Sequence, residues 1–245
     1  MYYIFGVVRS IDHQSQTIPY QDIAAFYEEV SEQDFGEQAL AKNLKDMSWV
    51  SEKALHHQEV LNDAVNQRTI IPFKFGSVFS SKDKVIQMLR ARADQFNELL
   101  SQLEGNKEWG LKLYYDEEKL DMTLNQEEDL RSIRREFASS SPGKQFLLKK
   151  KEEQIRKELK KTVLNKFRQD FFDLTRKNAV NRVKQLETTN PELDDKQGVN
   201  ILNLAVLAPN KDFLSNLSSF QAVILEYGLN YHVTGPWPAY NFVSE

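Results

Sequence analysis

Apolar residues fall into distinct runs along this chain, and the spacing within each run predicts the element it forms. Residues 2–8 (YYIFGVV) are almost continuously apolar and β-favouring, which predicts a buried first strand. Residues 12–16 are polar and predict a loop. Residues 23–30 predict a second strand, with the Glu28–Glu29 pair leaving a helical turn as the alternative, and Phe35, Gly36 and Glu37 predict a turn. From Asp46 the period lengthens. Val50, Ala54, His57, Leu61 and Val65 recur three or four apart and mark one face of a helix.

The stretch RTIIPFKFGSVFSS returns to a β-like run through Ile70, Ile71, Phe73 and Phe75. Pro72 has no N–H to give a ladder and predicts a sheet edge. Gly76 predicts a bulge or a close backbone approach. Ser80, three residues before Asp83, reads as a helix start. Ile86, Leu89, Ala93, Phe96, Leu100 and Leu103 then form one amphipathic stripe, which Gly105 ends. Residues 108–116 predict a further strand.

In the second half, residues 127–137 predict a charged helix, followed by the small-residue loop ASSSPGK. Ser141 and Pro142 form a cap and first-turn pair. Leu148, Ile155, Leu159, Val163, Phe167, Phe171 and Leu174 then recur mainly by four and seven. One straight helix over residues 143–187 would be roughly 65 Å long, so a bend, a break or a projecting arm is expected. TTNPELDDKQG is a polar linker. Residues 199–207 (VNILNLAVL) form the clearest buried strand, and Pro209 and Asn210 turn the chain. A helix is expected over residues 213–227, with Phe213, Leu214, Leu217, Phe220, Val223 and Ile224 inward. Gly228 ends it, and residues 229–234 form a last strand. The order, ββαβαβ and then ααβαβ, predicts an α+β protein. Two domains, 1–106 and 107–245, would each pack helices on a small, mostly antiparallel sheet.

Composition narrows the chemistry. The chain has 245 residues, 40% hydrophobic and 28% charged, with net charge −4. That suits a globular protein with a real core and gives no global signal for nucleic acid. There is no cysteine, so disulfides, thiolate metal sites and cysteine nucleophiles are excluded. No leader pattern opens the chain, and no run approaches the ~18 apolar residues of a membrane span. The 9 glycines form no phosphate-binding loop or nucleophile elbow.

Histidine is the remaining catalytic candidate. His56 and His57 are adjacent and diverge by about 100° on a helix, which is wrong for a metal pair. His57 lies in the apolar stripe and reads as structural; the alternative is a ligand or general acid with a carboxylate supplied from elsewhere. His13 sits in a polar loop and His232 in a strand. Paired acids such as Glu28/Glu29, Glu127/Glu128 and Asp194/Asp195 read as solvated surface. No catalytic, cofactor or metal residue is assigned.

The long helix FLLKKKEEQIRKELKKTVLNKFRQDF is rich in lysine and arginine with interleaved aromatics. Three readings stay open: a solvated salt-bridge face, an interface with an acidic protein partner, or a nucleic-acid or membrane-surface contact. The chain closes on GPWPAYNFVSE, unusually apolar for a terminus. Gly235 allows a turn, and Pro236 and Pro238 preorganise the backbone about Trp237. The tail is either a docked arm, burying Trp237 and Phe242 against the second unit, or a surface offered to a partner.

Taken together, these motifs resemble the gas vesicle protein F/L family (GvpF/GvpL). The match rests on YYIFGVV, His57 and Val60, the segment holding Pro72, Phe73, Phe75 and Gly76, the Trp109–Gly110 pair, and a close through Gly235, Pro236, Trp237, Pro238, Tyr240 and Phe242. It spans essentially the whole chain. The resemblance implies a non-enzymatic accessory protein for assembling gas vesicles, with two α+β domains containing ferredoxin-like elements. It implies a cytoplasmic and gas-vesicle location. The implied partners are the hydrophobic shell protein and other accessory gas vesicle proteins, with neither small-molecule substrate nor cofactor. Of the motif residues, those of the Pro72–Gly76 segment, the Trp109–Gly110 pair and the close from Gly235 to Phe242 named above are then the candidate partner-binding residues. Strand addition at a sheet edge, or a helix held in an apolar groove, would supply the contact. The alternative function is a basic-helix protein that binds nucleic acid or a membrane surface.

Overall fold

The computed structural model describes residues 1–10, 16–178, 182–187, 198–215 and 217–243. Most of the loop expected at residues 12–16, His13, and the linker before Gly198 lie outside them. The described chain is α+β, with two small antiparallel sheets and helices. Its contacts group it into two units. The first is Met1–Trp109 with Leu207–Asn210 and Gly235–Glu245; the second is Gly110–Val206 with Lys211–Thr234. The closing tail, expected against the second unit, therefore groups with the first.

In the first unit, strands β1 (Tyr2–Arg9), β2 (Thr17–Tyr20), β3 (Ile23–Glu29) and β4 (Ile70–Pro72) lie in the order β2-β3-β1-β4, and β5 (Val78–Phe79) also pairs with β1. All of these pairings are antiparallel. β1 is central and buried through most of its length, which is why its residues are almost all apolar. β4 lies at an edge, as Pro72 requires. The close backbone approach is at Gly6, not Gly76. A Cβ on Gly6 would sit 2.3 Å from the Ile71 carbonyl oxygen, whereas Gly76 has open space and needs only its positive φ of 83°.

Helices α1 (Glu32–Phe35) and α2 (Glu37–Asn43) replace the expected turn, with Gly36 between them. α3 (Met47–Gln67) starts where the Asp46 side chain accepts from the N–H groups of Ser48 and Trp49, and it buries His57, Leu61 and Ala64. The stripe expected as one helix is two, α4 (Lys82–Ala91) and α5 (Ala93–Leu103). Arg92 interrupts it at φ −123°, ψ 18°, where its guanidinium lies 4.8 Å over the Phe96 ring. The cap is Ser81, one residue beyond the expected Ser80, and accepts from Lys84 N–H.

The second unit holds most of a four-stranded sheet ordered β7-β8-β6-β9. These strands are β6 (Lys107–Tyr115), β7 (Arg182–Leu186), β8 (Val199–Ala208) and β9 (Leu229–Trp237). Helices α6 (Glu117–Leu124), α7 (Glu128–Ala138), α8 (Pro142–Asn178) and α9 (Leu217–Glu226) accompany them. α8 has 37 residues, about 55 Å at the usual rise, and ends before the expected residue 187. The strand β7 occupies residues that were expected to continue it. β7 lies at the sheet edge with mostly exposed side chains, so hydrophobicity alone does not reveal it. The helix expected over residues 213–227 is shorter. A 3-10 turn, Lys211–Leu214, precedes α9, whose Val223 is 49% exposed where it was expected inward. Gly228 ends α9 at φ 73°, and a Cβ there would meet the Lys119 Cβ at 2.5 Å.

Candidate functional site

The motif residues of the first unit converge on His57. α3 buries this ring to 3% exposure among Tyr3, Phe5 and Phe75. It stacks on Phe5 with centroids 5.7 Å apart and meets Tyr3 edge-on at 5.6 Å. Tyr3, Phe5, Phe35, Leu61, Ala64 and Ile70 form the surrounding core, and Tyr240 packs against it from the tail.

The hydrogen bonds around the ring have one consistent direction. Tyr240 Oη donates to the Phe73 carbonyl at 3.2 Å, so it accepts from His57 Nε2–H at 3.0 Å. Nδ1 is then bare and accepts from Tyr3 Oη–H at 2.9 Å. The Tyr3 oxygen in turn accepts from Gly76 N–H at 3.1 Å. A neutral histidine satisfies every member of this chain. Burial agrees: it lowers the His57 pKa from its ordinary 6.5, and the neighbouring His56 lowers it further. Burial also pushes the Tyr3 and Tyr240 hydroxyls up to about 12. Both ring nitrogens bond to tyrosine hydroxyls, so the carboxylate a general acid would require is not a hydrogen-bond partner of the ring. His56, by contrast, is exposed and lies 2.9 Å from Glu28. His232 is exposed in β9. Among the described residues no three His, Asp or Glu side chains are grouped to hold a metal.

A second set of contacts ties the tail down. The buried Glu108 carboxylate accepts from Asn241 N–H at 3.0 Å and from Asn241 Nδ2 at 2.6 Å. Trp109 is 6% exposed, and its indole donates to the Ala208 carbonyl at 3.2 Å. Gly235, at φ 112°, is held so close that a Cβ would lie 2.9 Å from the Glu108 carbonyl oxygen and 3.3 Å from the Trp109 and Trp237 rings. Pro238 and Ala239 are buried, and Phe242 is 4% exposed.

The structure thus separates the sequence candidates. Phe73, Phe75, Gly76 and Tyr240 gather at His57, while Pro72 pairs with Gly6 in the sheet. Trp109, Gly235 and Phe242 fix the tail. Pro236 is partly buried at the end of β9, and Gly110 is grouped with the second unit. Trp237, which the sequence leaves either buried with Phe242 in a docked arm or offered to a partner, is 39% exposed. It borders a groove whose other walls include Val65, Ile70, Leu103, Lys107 and Ala239. Trp237 is the last residue of β9, and the contacts of Asn241 with Glu108 and of Tyr240 with His57, and the burial of Phe242, all follow it along the tail. Sequence reasoning missed Tyr3, Glu108 and Asn241 as parts of the site. A tyrosine or an Asn–acid pair distant in sequence leaves no spacing signal.

The chain has relatives among known proteins. Residues 1–244 match the family described as gas vesicle synthesis protein GvpL/GvpF. Gas vesicle protein L1 of Halobacterium salinarum is 26% identical over 207 residues, covering 82% of this chain and 73% of that protein. Gas vesicle protein L of a Streptomyces species is 22% identical, covering 99% and 92%. The crystal structure of GvpF from Anabaena shares the fold, with a TM-score of 0.67 at 19% identity over 100% of this chain and 98% of that one. The chain belongs to the gas vesicle GvpL/GvpF family of structural and accessory proteins and has a role in gas vesicle formation.

Proposed function

We propose that this protein binds the hydrophobic gas vesicle shell protein, and other accessory gas vesicle proteins, in the cytoplasm to support nucleation of the vesicle. One observation carries the reading. Trp237 stands 39% exposed on a tail held by hydrogen bonds and packing, beside a groove whose walls mix apolar Val65, Ile70 and Leu103 with polar Asn66, Arg68 and Lys107. An indole held rigidly costs little entropy to dock, and tryptophan is favoured as an interface anchor. A shell subunit has apolar surface to cover before it assembles. A chain that presents a preorganised indole and groove covers part of that surface and limits aggregation. The Pro236–Trp237–Pro238 motif then serves the contact, and Phe73, Tyr240 and Phe242 serve the framework behind it.

The test is capture. Purified protein is added to dilute shell protein as it leaves denaturant, and light scattering is followed. Suppressed scattering with a co-migrating complex supports the proposal. Unchanged scattering with no complex refutes it.

A further inference from the structure

The first half of α8 carries a second surface, of different chemistry. Residues 142–161 hold eight lysine and arginine residues and three glutamates, a surplus of five positive charges in a chain whose net charge is −4. The inward side of this segment is occupied. Leu148 is buried, and Glu152 binds Arg134 at 2.9 Å and Arg156 at 3.1 Å. Lys160 pairs with Glu117, and Lys144 with Glu136. The outward side is not neutralised in this way. Lys149, Lys150, Lys157 and Lys161 are exposed, and no ion pair reaches them among the described residues. Two large apolar side chains share that side, Phe146 at 60% and Leu147 at 66% exposure, and Lys150 Nζ lies 4.8 Å over the Phe146 ring.

On an α-helix Phe146, Leu147, Lys150, Lys157 and Lys161 fall within an arc of about 100°, and from Phe146 to Lys161 the face runs about 22 Å. We infer that this face docks an acidic amphipathic helix of another polypeptide, roughly 15–18 residues long, whose apolar residues meet Phe146 and Leu147 and whose carboxylates meet the lysines. Charge complementarity selects that partner. Glu153 and Glu158 interrupt the lysines on the exposed side, with Gln154 donating to Glu158 at 3.1 Å. A uniformly anionic lipid surface repels those acids, whereas a helix can place neutral or basic residues opposite them. The surface is separate in residues and chemistry from the groove at Trp237.

The probe is a fluorescein-labelled 18-residue peptide with Leu and Glu at amphipathic helical spacing. Its controls are the same peptide with Lys for Glu, and phosphatidylserine vesicles. The full chain should bind the acidic peptide, with affinity falling as salt rises, and should bind neither control as tightly. Lys150→Glu with Lys157→Glu should weaken binding at least about tenfold. Phe146→Ser with Leu147→Ser should weaken it in a salt-independent way. Both pairs lie on the surface, and circular dichroism should show them folded. The inference is overturned if the acidic peptide does not bind, if both folded variants bind it as the parent does, or if the vesicles bind more tightly than the peptide.

Discussion

His57 Nε2 and Tyr240 Oη lie 3.0 Å apart although 183 residues separate them, and that contact closes the tail onto the first sheet and its helix. Tyr240→Phe removes one hydroxyl and leaves both the His57 N–H and the Phe73 carbonyl without this partner. A cost of about 1–3 kcal/mol is expected. Urea unfolding measures it, and an unchanged midpoint would show that the hydroxyl contributes nothing.

Burial of the same ring makes stability depend on pH. His57 has its pKa lowered on folding, from an ordinary value of 6.5. Below that value the unfolded chain takes up a proton that the folded chain refuses, so stability falls as pH drops. The contribution is fully present above pH 6.5 and decays downward through the folded pKa, by at most about 1.4 kcal/mol per pH unit. Chemical denaturation across this range should show the slope in the parent and lose it in His57→Gln.

At the alkaline end the sign reverses. Tyr3 and Tyr240 ionise near 12 in the folded state instead of 10. The unfolded chain gives up those protons first, so stability should decline as pH rises from 10 towards 12. Absorbance of tyrosinate should show fewer ionised tyrosines at pH 11 in the folded protein than in urea, and Tyr3→Phe should narrow that difference.

Gly6→Ala places a methyl 2.3 Å from the Ile71 carbonyl oxygen and 2.8 Å from the Ile70 Cγ1, against backbone that cannot yield cheaply. A loss of about 1–3 kcal/mol is expected. Gly143→Ala meets nothing within 4 Å and should be close to neutral. Paired thermal melts distinguish the two.

Much of this fold is written in local patterns. β1 and β8 bury nearly continuous apolar runs, and such runs have few other homes. Asp46, Pro142 and Gly228 mark helix ends because backbone geometry and unpaired N–H groups demand those residue types. β2 and β7 leave little trace in the sequence, for a shared reason. Both are short, and each is polar or interrupted by proline at a sheet edge, where burial imposes no alternation. The site was half legible. The aromatic motifs stood out by composition, and His57 by its place in the α3 stripe. That Tyr3 and Tyr240 would take its two nitrogens, or that Asn241 would seat on Glu108, depends on tertiary placement that no spacing encodes.

The central claim is that the tail's buried residues hold it and its exposed indole binds. Titration of shell protein against the parent chain and Trp237→Ala, with unfolding monitored on the same samples, tests it most directly. The account predicts a folded Trp237→Ala protein, destabilised by less than Tyr240→Phe, whose affinity for shell protein falls at least about tenfold. Undiminished affinity in a folded Trp237→Ala protein would contradict it, as would a variant that simply unfolds.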